Sequence, residues 1–539
     1  TNIWPMQVLQ SFMSSTVSVA RAGDSSHIWS FVSLHRKAWL ITAGVAALLF
    51  IVGVVLIAKF WPFTQKSVIE NLAEASDSKV TVRSYKPTYF PSPGCILDGV
   101  EFRHGENQAQ FITIEKLTIQ GSYSGILRNH IPRIIADGAR VFIPPFGSKP
   151  TFNTQHSKLV IDELIANGAS IEFASKNPQQ PSLRFDIHQA SLTGVQWGSS
   201  IGYHIKFHNP NPPGEIIVAG KFGRWMEGHA DETPISGDYT FEDADLGVYD
   251  GIAGTLASRG KFDGMLKHIN VSGTTDVPDF NVRTSSHTVH LRTKFDAYVD
   301  GTKGDTFLNR VEARFERTVV LAEGAIAGSK ESKGKEANIH LTSHDGRIED
   351  LLKLFMKAPQ APMSGAASLD AHAIVPPGKE RFLDKLRLTG AFDIDSGNFT
   401  HPDTQLDVDK LSAGARGKNK DTPEDVVSNL KGKVELEHGV ARFSDLTFRI
   451  PGADAKMHGT YNVINHRIDL HGNMRVATRI SKTSTGMKSL ILKVMDPLFR
   501  KKKKGEIVPV HVEGTYEKPE FGLDMTQPDN KKSPPKSKP

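Results

Sequence analysis

Residues 287–300 read HTVHLRTKFDAYVD, and this stretch decides the fold class because its side chains alternate between apolar and polar. Val289, Leu291 and Phe295 fall on one face of an extended chain, and the residues between them are mostly charged. A two-residue period with one apolar face predicts a β-strand in a sheet that is wet on one side. Such sheets are antiparallel more often than parallel. We therefore expect a mainly β protein built on an antiparallel sheet.

The same alternation recurs in two distant stretches, residues 386–395 and 467–476. In both, the apolar side chains fall on one face and charged side chains fall on the other, as in the first stretch. The apolar positions that we take as candidates for one continuous apolar surface are Val289, Leu291, Phe295, Leu388, Phe392, Ile394, Ile468, Leu470, Met474 and Val476.

The composition excludes several classes of protein. The chain has 539 residues and a formal net charge of +6. Much of this excess lies near the C-terminus, in residues 501–504 and in the last nine residues, so the body is close to neutral. A near-neutral body argues against a nucleic-acid groove. The single cysteine, Cys95, excludes an intramolecular disulfide and any metal site that needs several cysteines.

A membrane anchor is predicted over residues 38–58, which contain no charged residue. At about 1.5 Å per residue, a helix of this length crosses a hydrocarbon core of about 30 Å. Trp39 and Trp61 lie at its two ends, where indole rings prefer to sit. The run is longer than a usual signal-peptide core, and no small-residue cleavage site follows it. We expect a retained single-pass helix that follows a cytoplasmic N-terminal segment, residues 1–37.

The orientation of this helix follows from the basic residues beside it. Arg21, Arg36 and Lys37 precede the segment, whereas Lys59 and Lys66 follow it. Because basic residues collect on the cytoplasmic side, this bias places the large C-terminal part on the exported side.

An internal echo relates residues 134–141 to residues 164–171, which read IIADGARV and LIANGASI. Asp-Gly and Asn-Gly between apolar runs favour two-residue hairpin turns, because both central residues need a positive φ. The sequence therefore predicts a tight hairpin in each copy.

A second echo relates residues 273–280 to residues 514–521. Degenerate echoes of this kind favour one extended β-array. The alternative is a string of β-sandwiches, whose strands would alternate in the same way. No Pro/Ser-rich linker divides residues 80–521, apart from a weak candidate at residues 330–335, and this favours the single array.

Three helices are predicted among the strands. Residues 68–73 and 348–355 each carry a short apolar face. The third is a basic amphipathic helix that could pack on the sheet or lie at a lipid surface. Its apolar positions are Met487, Leu490, Ile491, Val494, Met495 and Leu498. Residues 526–539 form a Lys/Pro tail of the composition typical of disorder.

The chain carries no convincing catalytic, cofactor-binding or metal-binding motif. Residues 198–202 match G-x-S-x-G, but the residues that follow alternate as a strand, and the motif needs a strand-to-helix turn. Residues 328–335 resemble a phosphate loop but lack the Ser or Thr that would hold magnesium. The 21 histidines show no H-E-x-x-H spacing. We therefore expect a protein that is not an enzyme.

One anchor, one short helix and then strands with Asp-Gly turns resemble the start of AsmA-like proteins, and the C-terminal part resembles them more closely. The stretches that carry this resemblance lie at residues 386–392, 411–413, 432–434, 459–461, 486–499, 509 and 514–521. The resemblance implies an N-terminal region over residues 64–344, an AsmA-like C-terminal region over residues 345–525, and an elongated taco-like β-groove related to TamB and to bridge-like lipid-transfer proteins.

The same resemblance implies a bacterial inner-membrane protein with most of its chain in the periplasm. Its groove would shield phospholipid acyl chains on their way between the inner and outer membrane and so support outer-membrane integrity. The expected partners are membrane lipids, with possible envelope proteins and no nucleic acid. The alternative is a scaffold or outer-membrane assembly factor that moves no lipid.

Overall fold

The structure is a computed structural model. It describes residues 62–76, 78–104, 109–126, 128, 130–143, 160–173, 182–196, 198–226, 229–249, 251–283, 285–328, 334–378, 380–418, 422–476, 507–515 and 518–523. The chain divides into two units, residues 1–64 and 65–539, and every helix and strand given below belongs to the second unit.

Strands dominate the described residues. In chain order they are β1 Lys79–Thr88, β2 Gly94–His104, β3 Ala109–Gln120, β4 His130–Asp137, β5 Arg140–Ile143, β6 Val160–Phe173, β7 Leu183–Gln196, β8 Ile201–Pro210, β9 Pro213–Phe222, β10 Pro234–Asp245, β11 Ile252–Ala253, β12 Thr255–Met265, β13 His268–Val282, β14 Val289–Asp300, β15 Asp305–Phe315, β16 Thr318–Gly328, β17 Lys335–Arg347, β18 Met363–Val375, β19 Arg387–Phe399, β20 Ser428–Glu437, β21 Val440–Ile450, β22 Ala453–Asn462, β23 Arg467–Val476, β24 Ile507–Thr515 and β25 Lys518–Leu523. The helices are α1 Gln65–Ser76, α2 Tyr123–Ile126, α3 Ile348–Lys353, α4 Phe382–Lys385 and α5 Pro402–Ala415, and two 3₁₀ turns lie at Ala230–Glu232 and Leu246–Val248.

All 25 strands belong to one sheet. From β6 to β25 the strands follow one another across the sheet in chain order, apart from the two-residue β11, which pairs with the end of β13. The prediction of a mainly β protein built as one array is confirmed. β17 contains residue 345, where the C-terminal region was predicted to begin, so one sheet continues across that boundary.

The sheet is mixed, so the expectation of a purely antiparallel sheet is wrong at one place. β4 and β5 both pair parallel with β6, while the other pairs are antiparallel. The two echo segments cause this difference, because they lie side by side. Ile134 pairs with Leu164 and Val141 pairs with Ile171, a constant offset of thirty positions.

The predicted hairpin turns in this echo do not form. Only the glycine of each pair has a positive φ, +65° at Gly138 and +56° at Gly168, and the chain continues in its original direction. A hairpin of this type needs positive φ at both central residues. Asn167 instead donates from Nδ2 to Asp137 Oδ1 at 2.9 Å, so the two turn residues bind each other across the parallel pair.

The second echo has no common structure. Residues 273–280 lie inside β13, whereas residues 514–521 begin at the end of β24 and continue into β25. Thr515 pairs with Lys518, which places a strand reversal in the second copy only.

The predicted helices at residues 68–73 and 348–355 are confirmed as α1 and α3. The longest helix, α5, was not predicted, because its buried side includes Asp409 and Ser412 as well as apolar residues. Asp409 Oδ1 accepts from Gln405 Nε2 of the same helix at 2.8 Å. It also accepts from the Val426 backbone N–H at 3.0 Å, so the polar side of α5 binds the segment that precedes β20.

Several predictions fall on residues that the structure does not describe. These are the membrane segment 38–58 with the preceding residues 1–37, the amphipathic helix through Met487–Leu498, and the tail 526–539. Within the described part of the chain, the helices are all too short or too polar to cross a bilayer.

Candidate functional site

All ten predicted surface residues lie on one face of the sheet, which we call the apolar face. Their exposure divides them into two groups. Val289, Ile394, Met474 and Val476 are buried, at 2–6% exposure. The other six keep an intermediate exposure, and they are Leu291, Phe295, Leu388, Phe392, Ile468 and Leu470.

The apolar face contains an unbroken row of directly paired residues, here called the apolar row. Each member is the cross-strand partner of the next, and none is charged or exposed. The row reads Tyr85, Leu97, Leu117, Ala136, Ala166, Ala190, Ile205, Val218, Tyr239, Gly260, Gly273, Phe295, Val311, Ala322, Leu341, Ala371, Gly390, Val434, Phe443, Gly459, Leu470 and Val512. At about 4.8 Å per strand, it follows the sheet for roughly 100 Å.

Two glycines of the row are covered by aromatic rings from neighbouring strands. A Cβ at Gly260 would lie 2.9 Å from Tyr239 Cε1, and a Cβ at Gly273 would lie 2.9 Å from Phe295 Cζ. The rings therefore occupy space that a side chain at these positions would need. The row contains no charged residue, and its polar side-chain groups are the hydroxyls of Tyr85 and Tyr239.

The opposite face is charged. Asp238, Lys261, Ser272, Asp296 and Arg310 form a paired row there, next to the strand positions that supply the apolar row. Lys261 Nζ lies 3.7 Å from Asp238 Oδ1, and both side chains are more than 70% exposed. An exposed pair of this kind contributes little stability but keeps that face in water.

Among the described residues, helices cover the apolar face near the strand ends. Val408 and Ala415 of α5 pack with Ala455, Met474 and Val508, and this explains why Met474 is buried. Residues Ile348 and Leu351 of α3 pack on Met363, Ala367 and Ile394. At the other strand ends, Leu383 of α4 packs with Ala373 and Leu386. The middle of the face, where the apolar row runs, stays partly exposed on most strands.

The strands end along two opposite rims of the sheet, and these rims come into contact. The first rim contains the turn after β10, and the second rim contains α4. A Cβ at Gly251 in that turn would lie 2.3 Å from Phe382 Cβ in α4. β12 and β18 are six strands apart along the sheet, so this contact crosses the apolar face.

A buried carboxylate fixes the first rim beside α3. Asp350 is 2% exposed, and its Oδ2 accepts from the Arg317 backbone N–H and from Thr318 Oγ1, both at 3.0 Å. Nearby, Ser285 Oγ donates to the Met356 carbonyl at 2.9 Å. These bonds hold the segment after α3 against the start of β14.

The single cysteine and the two motifs weighed in the sequence offer no catalytic arrangement within the described residues. Burial raises the pKa of the Cys95 thiol to about 12, so the thiol stays protonated at neutral pH. Residues 198–202 lead directly into β8 and not into a helix. Most of the phosphate-loop candidate, residues 329–333, lies outside the described residues.

Comparison with protein-family models, with curated proteins and with solved structures found no match to this chain.

Sequence analysis found the apolar face but missed most of the apolar row. Alternation within one strand shows which residues share a face, and it identified Phe295 and Leu470 of the row. Ala136, Gly273 and Gly459 carry no such signal, because small residues do not stand out as apolar positions. Only the register between strands brings them into line.

Proposed function

We propose that the sheet curls into a groove whose apolar face shields the acyl chains of membrane phospholipids. In this proposal the charged face meets water, the headgroup stays at the open side, and lipids pass along the apolar row. The protein would be anchored in a bacterial inner membrane by residues 38–58, with the sheet on the periplasmic side, and would carry lipid between the inner and outer membrane. This location rests on the sequence and on the resemblance to AsmA-like proteins.

The observation that carries the proposal is the partial exposure of an unbroken apolar row. In a β-sandwich a second layer would bury the middle of the strands, as α5 buries Met474 at the strand end. Leu470 lies two pleat repeats away on the same strand and stays partly exposed. Removing an acyl chain from water contributes about 0.8 kcal/mol per methylene, so any break in such a lining would be costly to a moving lipid.

The contact between Gly251 and Phe382 supports the curl. In an open, flat sheet, strand ends six strands apart on opposite rims would lie more than 25 Å from each other. Their direct contact requires the two rims to approach over the apolar face.

Photocrosslinking in intact cells tests the proposal. A benzoylphenylalanine placed at Phe295 or Phe443, on the apolar row, should capture phospholipid that mass spectrometry identifies. The matched control is the same residue at Asp296, which lies next to Phe295 on the charged face. Equal lipid labelling at both faces, or none at the row, would refute the proposal. A folded protein without lipid would favour a scaffold or assembly factor.

A further inference from the structure

The charged face carries a cluster of histidines and carboxylates at its C-terminal end. Asp469 and His471 lie on β23, and Glu513 lies on β24. One ligand atom from each lies within 4.8 Å of the other two. His471 Nε2 is 2.8 Å from Asp469 Oδ1. All three point away from the apolar row, so this cluster is separate from the proposed lipid path.

The strand register extends this cluster into two parallel rows. Asp469, Glu513 and Glu520 are successive cross-strand partners over β23, β24 and β25. Like charges directly opposite each other destabilise a sheet. The pairing therefore sets three carboxylates side by side, and a bound cation would relieve the repulsion between them.

The second row consists of histidines. His458, His471 and His511 are successive partners over β22, β23 and β24, and the rings of His471 and His511 lie 6.2 Å apart. The next partner of His511 is Gly522, whose missing side chain leaves room for the His511 ring. Imidazole nitrogen beside carboxylate oxygen is a donor set suited to zinc and neighbouring divalent transition metals.

We propose that Asp469, His471 and Glu513 bind one divalent transition-metal cation, of which zinc is the best fit, with His511 as a fourth ligand after rotation of its ring. Ligand atoms around tetrahedral zinc lie roughly 3.4 Å apart, given metal–ligand distances of about 2.1 Å. The distances of 2.8 Å and up to 4.8 Å bracket this value. Side-chain movements of about 1 Å would therefore bring the ligand atoms of Asp469, His471 and Glu513 to tetrahedral spacing.

The bound cation would join β23 to β24. Thirty residues, 477–506, separate these strands in sequence, so their pairing closes a long connection. The entropy of closing such a loop opposes the pairing. A metal bound to both strands would hold this end of the sheet together, which gives the site a structural role independent of lipid.

Zinc binding to the full-length chain, purified without a polyhistidine tag, tests the proposal. Equilibrium dialysis should find a zinc site at micromolar concentrations that calcium and magnesium do not fill. His471→Gln and Glu513→Gln should each weaken zinc binding at least about tenfold, the low end of what losing a supporting contact of a metal ligand costs. Zinc should also slow amide exchange in β23 and β24 of the wild-type chain and not in these variants. Because histidine must be neutral to coordinate, binding should weaken in acid.

Two controls make the result decisive. Asn473→Ala alters the same face of β23 outside the cluster and should bind zinc as the wild type does. His340→Gln removes a histidine from a separate cluster and should also have no effect. Wild-type affinity in both ligand variants, or a loss confined to His340→Gln, would overturn the proposal, as would the absence of zinc binding. Melting curves recorded in chelator show whether each variant is folded. If His471→Gln is not folded, zinc binding by Glu513→Gln decides the test.

Discussion

A carboxylate placed on β23 should cost much more stability at one position of the apolar face than at another. Met474 is 6% exposed and packs under α5, so Met474→Asp would bury a charge without a partner. The expected cost is several kcal/mol out of a total stability of about 5–15 kcal/mol. Leu470 lies in the partly exposed apolar row, where a carboxylate keeps its water. Leu470→Asp should therefore cost only about 1 kcal/mol.

The effect of Leu470→Asp on lipid movement should be large. One strand spacing of about 4.8 Å corresponds to roughly four methylenes of an extended acyl chain, at about 1.25 Å each. Exposing four methylenes costs about 3 kcal/mol, which slows passage roughly 100-fold or more. Phe295→Asp, nine strands away along the row, should give the same block, because a lipid must pass both places.

The assay pairs thermal melting and cellular abundance with transfer of a fluorescent phospholipid between donor and acceptor vesicles. Asn473→Asp places the same charge on the opposite face of β23 and should be silent in all three measurements. Loss of folding in Leu470→Asp comparable with that in Met474→Asp would refute the open apolar face. Normal transfer by folded Leu470→Asp would refute passage along the row.

Three further changes test other parts of the structure. Asp350→Ala should lower stability by about 2–4 kcal/mol, because it leaves the Thr318 hydroxyl and a backbone N–H without their acceptor, and chemical denaturation measures this. Gly273→Val should cost about 1–3 kcal/mol in the same assay, because its Cβ would lie 2.6 Å from the Arg259 carbonyl oxygen and 2.9 Å from the Phe295 ring. Hydrogen bonds that the His340 ring donates to the carboxylates of Asp370 and Glu323 raise the pKa of His340, so the stability it contributes is present at pH below about 6.5 and is lost as pH rises through the higher folded-state pKa. Melting of His340→Gln relative to the wild type should therefore differ most at pH 5–6, roughly one unit below the ordinary histidine value.

The Gly273 variant has a matched control on the same sheet. Gly328→Ala meets nothing within 4 Å and should leave stability unchanged, in contrast to Gly273→Val. Equal effects in a variant and its control would remove the structural reason given for that variant.

The sequence predicts the faces of this sheet better than its order. A two-residue period is a local property of each strand, so the apolar positions of β14, β19 and β23 could be assigned without knowing their neighbours. Register and strand direction depend on distant segments, and the parallel pairing of β4 with β6 has no local signature. The buried side of α5 is partly polar, so periodicity could not find that helix.

The candidate site divides in the same way. The partly exposed group around Phe392 and Leu470 was predicted as one surface, but the burial of Met474 depends on α5, which was not predicted. The cluster at Asp469 and His471 was also missed. Its residues look like an ordinary solvated face along one strand, and only the pairing of β23 with β24 brings Glu513 beside them.

The in-register stacking of residues 134–141 on residues 164–171 makes the length of this protein adjustable in whole units. Excising residues 138–167 would join Asp137 to Gly168 and form one hybrid strand that runs in the same direction as both parents. The first part of the hybrid strand would keep the pairing of β4 with β3. β7 would pair with the hybrid strand in the register that it now has with β6, because β4 and β6 differ by a constant offset of thirty positions. Duplicating the segment would add one strand by the same logic. Chains of this design can therefore gain or lose one strand at a time in evolution, without rebuilding the strands on either side.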